Sequence, residues 1–292
     1  GSIYCAGQFA GGLAVEARDN TLIKNVVVKA NIFSDYEGDG THGGIVAIGY
    51  GNLVIENCAF VGTLEADLSE GSSGIIVYTH GGSNTSIKNT YVGGELYLLE
   101  GSNNNVISRN NPYLDNCWAS WDCSYYNISE AVQLFEVDKE MISGELCYRL
   151  NAEGNGWFQN LGTDNYPVPF AAHDVVYAHG NLDCAGVGDI TYNNTPGTPE
   201  KAPHSYIDGV CQHCHNAYLI SNGFQLTQFS TNVMEGTATH AYAELDGDIS
   251  LTGADFFPIG GRADEGSNPF CGEFDGKGHK ISNMVIDAVS NN

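Results

Sequence analysis

Cysteine and histidine crowd into one short segment, Cys211-Gln212-His213-Cys214-His215. Taken literally this is the C-x-x-C-H pattern of c-type haem attachment. A haem also needs an apolar pocket and commonly a distal ligand, whereas this stretch is short, polar and flanked by proline and asparagine, so haem is the disfavoured reading. Upstream, Cys184 and His204 extend the set to Cys-x19-His-x6-Cys-x2-Cys, four soft or borderline ligands able to close a tetrahedral zinc site of the structural kind. Disulfides compete for the same sulfurs. Nine cysteines are many for a reduced compartment, and a metal would absorb the one that pairing leaves over. Cys117 and Cys123, with Trp118 and Trp121 between them, suit a local bridge, and Cys5, Cys58 and Cys271 are core positions or long-range partners.

Carboxylates offer a second chemistry. Asp35, Glu37 and Asp39 alternate in DYEGDG, as do Asp246 and Asp248 in LDGDIS; such clusters around glycine can hold Ca²⁺ through oxygen ligands, but without a full calcium loop a solvated acidic turn is the plainer reading. Trp118, Trp121, Tyr125, Tyr126 and Trp157 could form a platform on which sugars stack, although a linker packing onto a sheet needs aromatic residues too. His42 and His80 recur near glycine pairs, either as a metal pair on one face or, more plainly, as turn histidines. A β-helical lyase or glycosidase would need carboxylates paired across a groove, or a basic residue beside Ca²⁺. No such pair stands out, and the basic residues are scattered. Nucleophile-elbow, zinc-peptidase and phosphate-cradling motifs are missing, so the chain is read as non-enzymatic.

Charge narrows the partners. Eleven Lys+Arg against 35 Asp+Glu give a formal net charge of -24, which repels nucleic-acid backbones and anionic lipid heads. Neither nucleic-acid binding nor membrane insertion is expected, since no run approaches the roughly 20 apolar residues of a spanning helix. Residues 1–30 lack a signal-peptide layout. The chain is read as soluble and exported, its signal removed or lying upstream, and as a segment cut from something longer. The 37 Gly, 16 Tyr and 12 Phe, with abundant Asn, Ser and Thr, suit short strands and tight turns.

The elements that would position these groups come from a repeat. AGGLAVEARDNTLIKNVVV, GGIVAIGYGNLVIENCAFVGTL and SGIIVYTHGGSNTSIKNTYVGGEL each carry Gly-Gly or Ser-Gly, a short strand, a polar turn, then Ile-x-Asn and a second strand. Asn25, Asn57 and Asn89 recur every 32 residues, with a shorter copy, NNNVISRNN, after them. Copies of this length cannot bury their apolar faces alone, so they stack into a solenoid with the asparagines at equivalent corners. Asparagine tolerates left-handed backbone there and bonds its neighbours through its side chain; a glycan-binding ladder is the weaker reading. The tail, FDGKGHKISNMVID, repeats Ile-x-Asn at Ile281 and Asn283, and placed ahead of residue 1 it would lie 34 residues before Asn25. It reads as the coil that ought to precede the head, either in a tandem array or in copies joined head to tail.

FFPIGG followed by CGEFDGKGHKISNMVI resembles the GLUG-type repeat regions of large bacterial surface proteins, and GGIVAIGYGNLVIENCAF is similar to their following coils. SGELCYRLNAEGNGWFQNLGTDNYPVPF and HSYIDGVCQHCH resemble the segments that link such repeats. The resemblance implies an adhesin-like cell-surface location and β-helical repeats, and no defined ligand. Two departures are the rotated order of the repeats and His215, which stands where glycine is expected.

The expected architecture is mainly β: solenoid coils over 1–113, an irregular α/β linker with the cysteine knuckle over 114–222, and a helix plus strands starting the next stack over 223–292. From Ser129 to Leu150 the spacing of Val132, Leu134, Phe135, Met141, Ile142 and Leu146 predicts a short helix pair, capped near Ser143; a second helix is predicted from about Phe224 to Val233, with AYAELDGDISL following as a strand. The expected function is an extracellular structural or adhesive repeat module whose partner is a copy of itself or a tandem neighbour, with glycan or host-surface binding the alternative, and a haem protein or polysaccharide-degrading enzyme further behind.

Overall fold

Strand Asn52–Phe60 shows why the chain winds. Leu53 and Ile55 are buried, and so are Cys58 and Phe60, a set that strict strand alternation would split between two faces. Asn57 resets the parity: its φ of 50° puts it in the left-handed region, so the strand bends and both arms point to the interior. The same corner occurs at Asn25, Asn89 and Asn116, with φ of 58°, 49° and 47°. These corners stack, and their side-chain amides meet at 3.1, 2.7 and 2.6 Å up the ladder Asn25–Asn57–Asn89–Asn116.

The result is a β-solenoid of parallel sheets. The computed structural model describes residues 1–81, 84–100, 103–110, 112–152, 154, 156–260 and 268–285. The final glycine of FFPIGG, Glu153 and Asn155 of the linking segment, and the tail beyond 285 lie outside the described residues. Two units are distinguished, Gly1–Gly180 with Ile190–Thr198, and Asn181–Asp189 with Pro199–Asn292.

In the first unit one sheet joins Thr21–Val28, Asn52–Phe60, Asn84–Val92, Tyr113–Ser120 and Val132–Phe135 in that spatial order, and a second joins Ser2–Cys5, Asn31–Ser34, Thr63–Ala66 and Glu95–Leu98. Register follows the repeat: Ile23 lies opposite Ile55, and Ile55 opposite Ile87. Like side chains therefore stack, Ile23–Ile55–Ile87–Leu114 in one column and Val28–Phe60–Val92–Ala119 in another. The recurrent glycine pair has a steric cause. A Cβ on Gly44 would collide with the Gly74 carbonyl oxygen of the next coil, and one on Gly12 with the Gly44 carbonyl oxygen.

Two boundaries differ from expectation. The main sheet continues past residue 113 through Tyr113–Ser120 and Val132–Phe135. Val132, Leu134 and Phe135 are thus strand and not helix, because the edge of Tyr113–Ser120 offers a parallel partner, Cys117 opposite Val132. Within Ser129–Leu150 only Val137–Met141 and Glu145–Leu150 are helical, and Ser143 Oγ accepts the Glu145 N–H at 3.4 Å at the start of the latter.

The second unit pairs Ala217–Ile220, Tyr242–Leu245 and Glu273–Asp275 in parallel, with Ile249–Ser250 against Ile281–Ser282. Helix Gly223–Met234 crosses between the first two of these strands; Asn222 caps it by accepting the Gln225 N–H at 3.0 Å, and Leu226 and Phe229 face the core as predicted.

Asn57→Ala is expected to lower the unfolding free energy by about 1–2 kcal/mol through the left-handed backbone, while Asn57→Gly recovers most of that share. Urea unfolding of both variants checks this; an alanine variant as stable as the glycine one would show that the corner carries no backbone strain.

Candidate metal centre

Three short local structures bring four ligands together in the second unit. An Asp-Gly turn, Asp208 with φ 51° and Gly209 with φ 81°, closes the hairpin of Tyr206–Ile207 and Val210–Cys211 and delivers Cys211. The chain then folds back so that the His215 N–H reaches the Cys211 carbonyl oxygen at 3.1 Å, which swings Cys214 toward Cys211. His215 has a φ of 54°, the left-handed conformation that makes glycine the residue expected there. Cys184 arrives from the strand pair Asn181–Leu182 with Glu200–Lys201, and its turn is pinned by Asp183 Oδ1, which accepts the N–H groups of Ala185 at 2.8 Å and Val187 at 2.9 Å. His204 follows the partner strand and stacks on Tyr242, ring centres 5.9 Å apart.

The ligand atoms of Cys184, His204, Cys211 and Cys214 all lie within 4.8 Å of one another. Cys184 Sγ is 3.5 Å from Cys211 Sγ, and Cys214 Sγ is 3.7 Å from His204 Nδ1. A tetrahedral zinc with Zn–S of about 2.3 Å and Zn–N of about 2.0 Å requires edges of roughly 3.6–3.8 Å. The cluster can therefore hold a metal such as zinc. Cys184 and Cys211 are buried, but Cys184, Cys214 and His204 all border a cleft lined also by Tyr206, Tyr242 and Glu244, which gives an ion a way in.

Electrostatics prepare the same site. Burial opposes ionisation of Cys211, but the peptide N–H groups of Cys214, His213 and Ser205 and the His204 imidazole outweigh it and bring the thiol down to about 5. Burial pushes Cys184 up to about 11, reinforced by the neighbouring sulfurs of Cys211 and Cys214.

No family model, curated protein or solved structure matches this chain.

The other proposed sites are dispersed. Trp118 and Trp157 are 4% and 0% exposed, packed with Tyr91, Phe135 and Leu150 on the outer face of the main sheet, and Trp157 Nε1 donates to the Asn89 carbonyl oxygen. Trp121 and Tyr125 are 58% and 69% exposed. The four thus do not form one platform, because two of them cement the linking segment to the solenoid. Asp35 accepts the Tyr4 hydroxyl at 2.7 Å, Asp39 pairs with Arg109 at 3.0 Å, and Glu37 is exposed, so the acidic turn directs its carboxylates to different partners. His42 is buried between Ser34 and Ser69 at 3.0 and 3.1 Å, while exposed His80 stacks on Tyr50. All nine cysteines are free thiols, and Cys58 and Cys117 occupy one core column on either side of Thr90. Sequence reasoning missed Tyr206 and Tyr242, which flank His204; their alternation along short strands is shared by many other tyrosines here and singled out neither.

Zinc binding at pH 7 is expected to release protons, because Cys184 enters as a thiol while Cys211 is already a thiolate. Titration calorimetry in two buffers of different ionisation enthalpy measures the release, and affinity falls as the pH is lowered toward 5, where protons reclaim Cys211. A stoichiometry other than one zinc per chain, or equal binding by Cys184→Ser, would overturn the assignment.

Proposed function

We propose that this chain is an extracellular structural and adhesive repeat module of the GLUG-type surface-protein kind, whose irregular segment is stapled by a structural zinc. The observation that carries the reading is the in-register stack of coils with a 32-residue period and identical left-handed asparagine corners. Such a stack presents an extended, regular surface and grows by adding units, which suits a stalk or fibre. A structural metal is supported because four protein ligand atoms lie within 4.8 Å of one another, the number that fills a tetrahedral zinc site and leaves no position for substrate. Both cysteines of the C-x-x-C-H segment face Cys184 and His204, which favours zinc over haem. An export route fits the acidic surface and the Asn, Thr and Tyr-rich strands, and a calcium role for the acidic turn has no grouping of carboxylates behind it among the described residues.

One observation favours glycan adhesion as a second reading: Trp121 and Tyr125 stay exposed near Tyr97, which is 50% exposed. An aromatic patch beside carboxylates suits sugar rings and their hydroxyls.

Antibodies raised against the chain are expected to label intact cells that make it; labelling confined to permeabilised cells would overturn the surface role. If the patch binds glycans, Trp121→Ala should weaken binding at least tenfold on an oligosaccharide array without changing the unfolding midpoint, and no binding by the parent chain would leave the structural role alone.

A further inference from the structure

The four ligands of the second unit divide into two contacts of different chemistry. Cys214 Sγ faces the His204 imidazole, 3.7 Å from Nδ1, whereas Cys184 Sγ faces Cys211 Sγ at 3.5 Å. That separation suits two sulfurs on one tetrahedral metal, and it is also a direct contact from which a disulfide forms by closing to about 2.0 Å. Closure falls to the two side chains, because the backbone that carries them is already held. Asp183 Oδ1 fixes the turn at Cys184. Cys211 sits in the hairpin closed at Asp208 and Gly209, and the N–H of its neighbour Gln212 donates to the Ser205 carbonyl oxygen at 2.9 Å.

Sulfurs in the first unit are placed otherwise. Those of Cys5, Cys58, Cys117 and Cys123 meet backbone carbonyl oxygens, of Gly7, Glu56, Ile87 and Gly94 in turn. Thr90 stands between Cys58 and Cys117 in their column. Contact of sulfur with sulfur therefore sets Cys184 and Cys211 apart from them. Access is unequal within the pair. Cys184 borders the cleft together with Cys214 and His204, while Cys211 does not line it and is fully enclosed. A small reagent entering by the cleft meets Cys184 first, with Cys211 already in place to displace whatever the reagent leaves on its sulfur.

We propose that Cys184 and Cys211 are a disulfide-forming pair, oxidised by small hydroperoxides that enter through the cleft, and that this disulfide and a bound zinc exclude one another. With hydrogen peroxide, the Cys184 thiolate attacks one oxygen, the O–O bond breaks, Cys184 becomes a sulfenic acid and hydroxide leaves. The Cys211 thiolate then attacks the Cys184 sulfur; the S–S bond forms, the S–O bond breaks and a second hydroxide leaves. Two protons, from the thiols or, where zinc held thiolates, from water, turn both hydroxides into water. Two electrons have passed from the sulfurs to the peroxide. Zinc thereby loses two of its four ligands, and Cys214 with His204 fill only half of a tetrahedral set, so the ion leaves. Release of zinc rests on the metal reading above, but the disulfide does not. Either state ties the turn at Cys184 to the hairpin at Cys211, 27 residues on, so the segment stays stapled while its chemistry changes.

Tryptic mapping of the whole chain tests the pair without any variant, because Lys201 separates the peptide of Cys184 from that of Cys211 and Cys214. The metal-free chain is treated with hydrogen peroxide and its remaining thiols are alkylated before digestion. The two peptides should then be joined by a bond that fragmentation places at Cys184 and Cys211 and that dithiothreitol cleaves. Cys214→Ser should still give the join. A chain first loaded with zinc should release one ion to a chromogenic chelator for each join formed. Separate peptides after oxidation, or a join made at Cys214, overturn the pairing, and zinc retained on a joined chain overturns the exclusion. A chain that takes up no zinc yet joins its peptides upholds the disulfide and removes the metal, so failure of the metal reading and failure of the pair give different results.

Discussion

Everything in the first unit depends on coils meeting in register, because parallel stacking at the strand spacing lets each side chain see its own equivalent above and below. Isoleucine over isoleucine removes apolar surface from water at every rung, and asparagine over asparagine pairs amide with amide. The left-handed corner makes this feasible, since without the change of parity at Asn57 half of the bent strand would turn its apolar residues outward. A cost in backbone strain at each corner is thereby exchanged for burial along both arms.

Stacking equivalents has a hazard for charged positions, where like would meet like. The column just before the asparagine corner runs Lys24, Glu56, Lys88, Asp115, alternating in sign. Lys24 reaches Glu56 at 2.9 Å and Lys88 reaches Asp115 at 3.8 Å. Exposed pairs of this kind add little stability. Their value lies in avoiding repulsion between rungs in a chain whose net charge is already -24.

The knuckle segment follows a different logic. Around Cys184 and Cys211 the buried cluster is small, with Ala217 as its other buried member, and short strand pairs replace long ladders. Such a segment has little apolar area with which to offset the entropy of ordering, and a tetrahedral metal would provide that energy from four side chains. A repeat core and a ligand cluster are thus two ways of fixing chain that has few helices to rely on.

The period, the corner asparagines, the helix over Gly223–Met234 and the four ligands were legible in the sequence, because each is a local or strictly periodic signal: a left-handed residue, a capped amphipathic run, or cysteines and a histidine at ligand spacing. Even the departure at His215 was visible before its left-handed backbone was. Tertiary structure alone decided which outer face of the solenoid is covered. Trp118 and Trp157 are core residues because the segment after Phe135 packs on the main sheet, and Val132–Phe135 is a strand because an unpaired edge lay within reach. Neither outcome is encoded in the spacing of those residues, since outward positions in a parallel coil look alike in sequence until a distant part of the chain chooses one to bury.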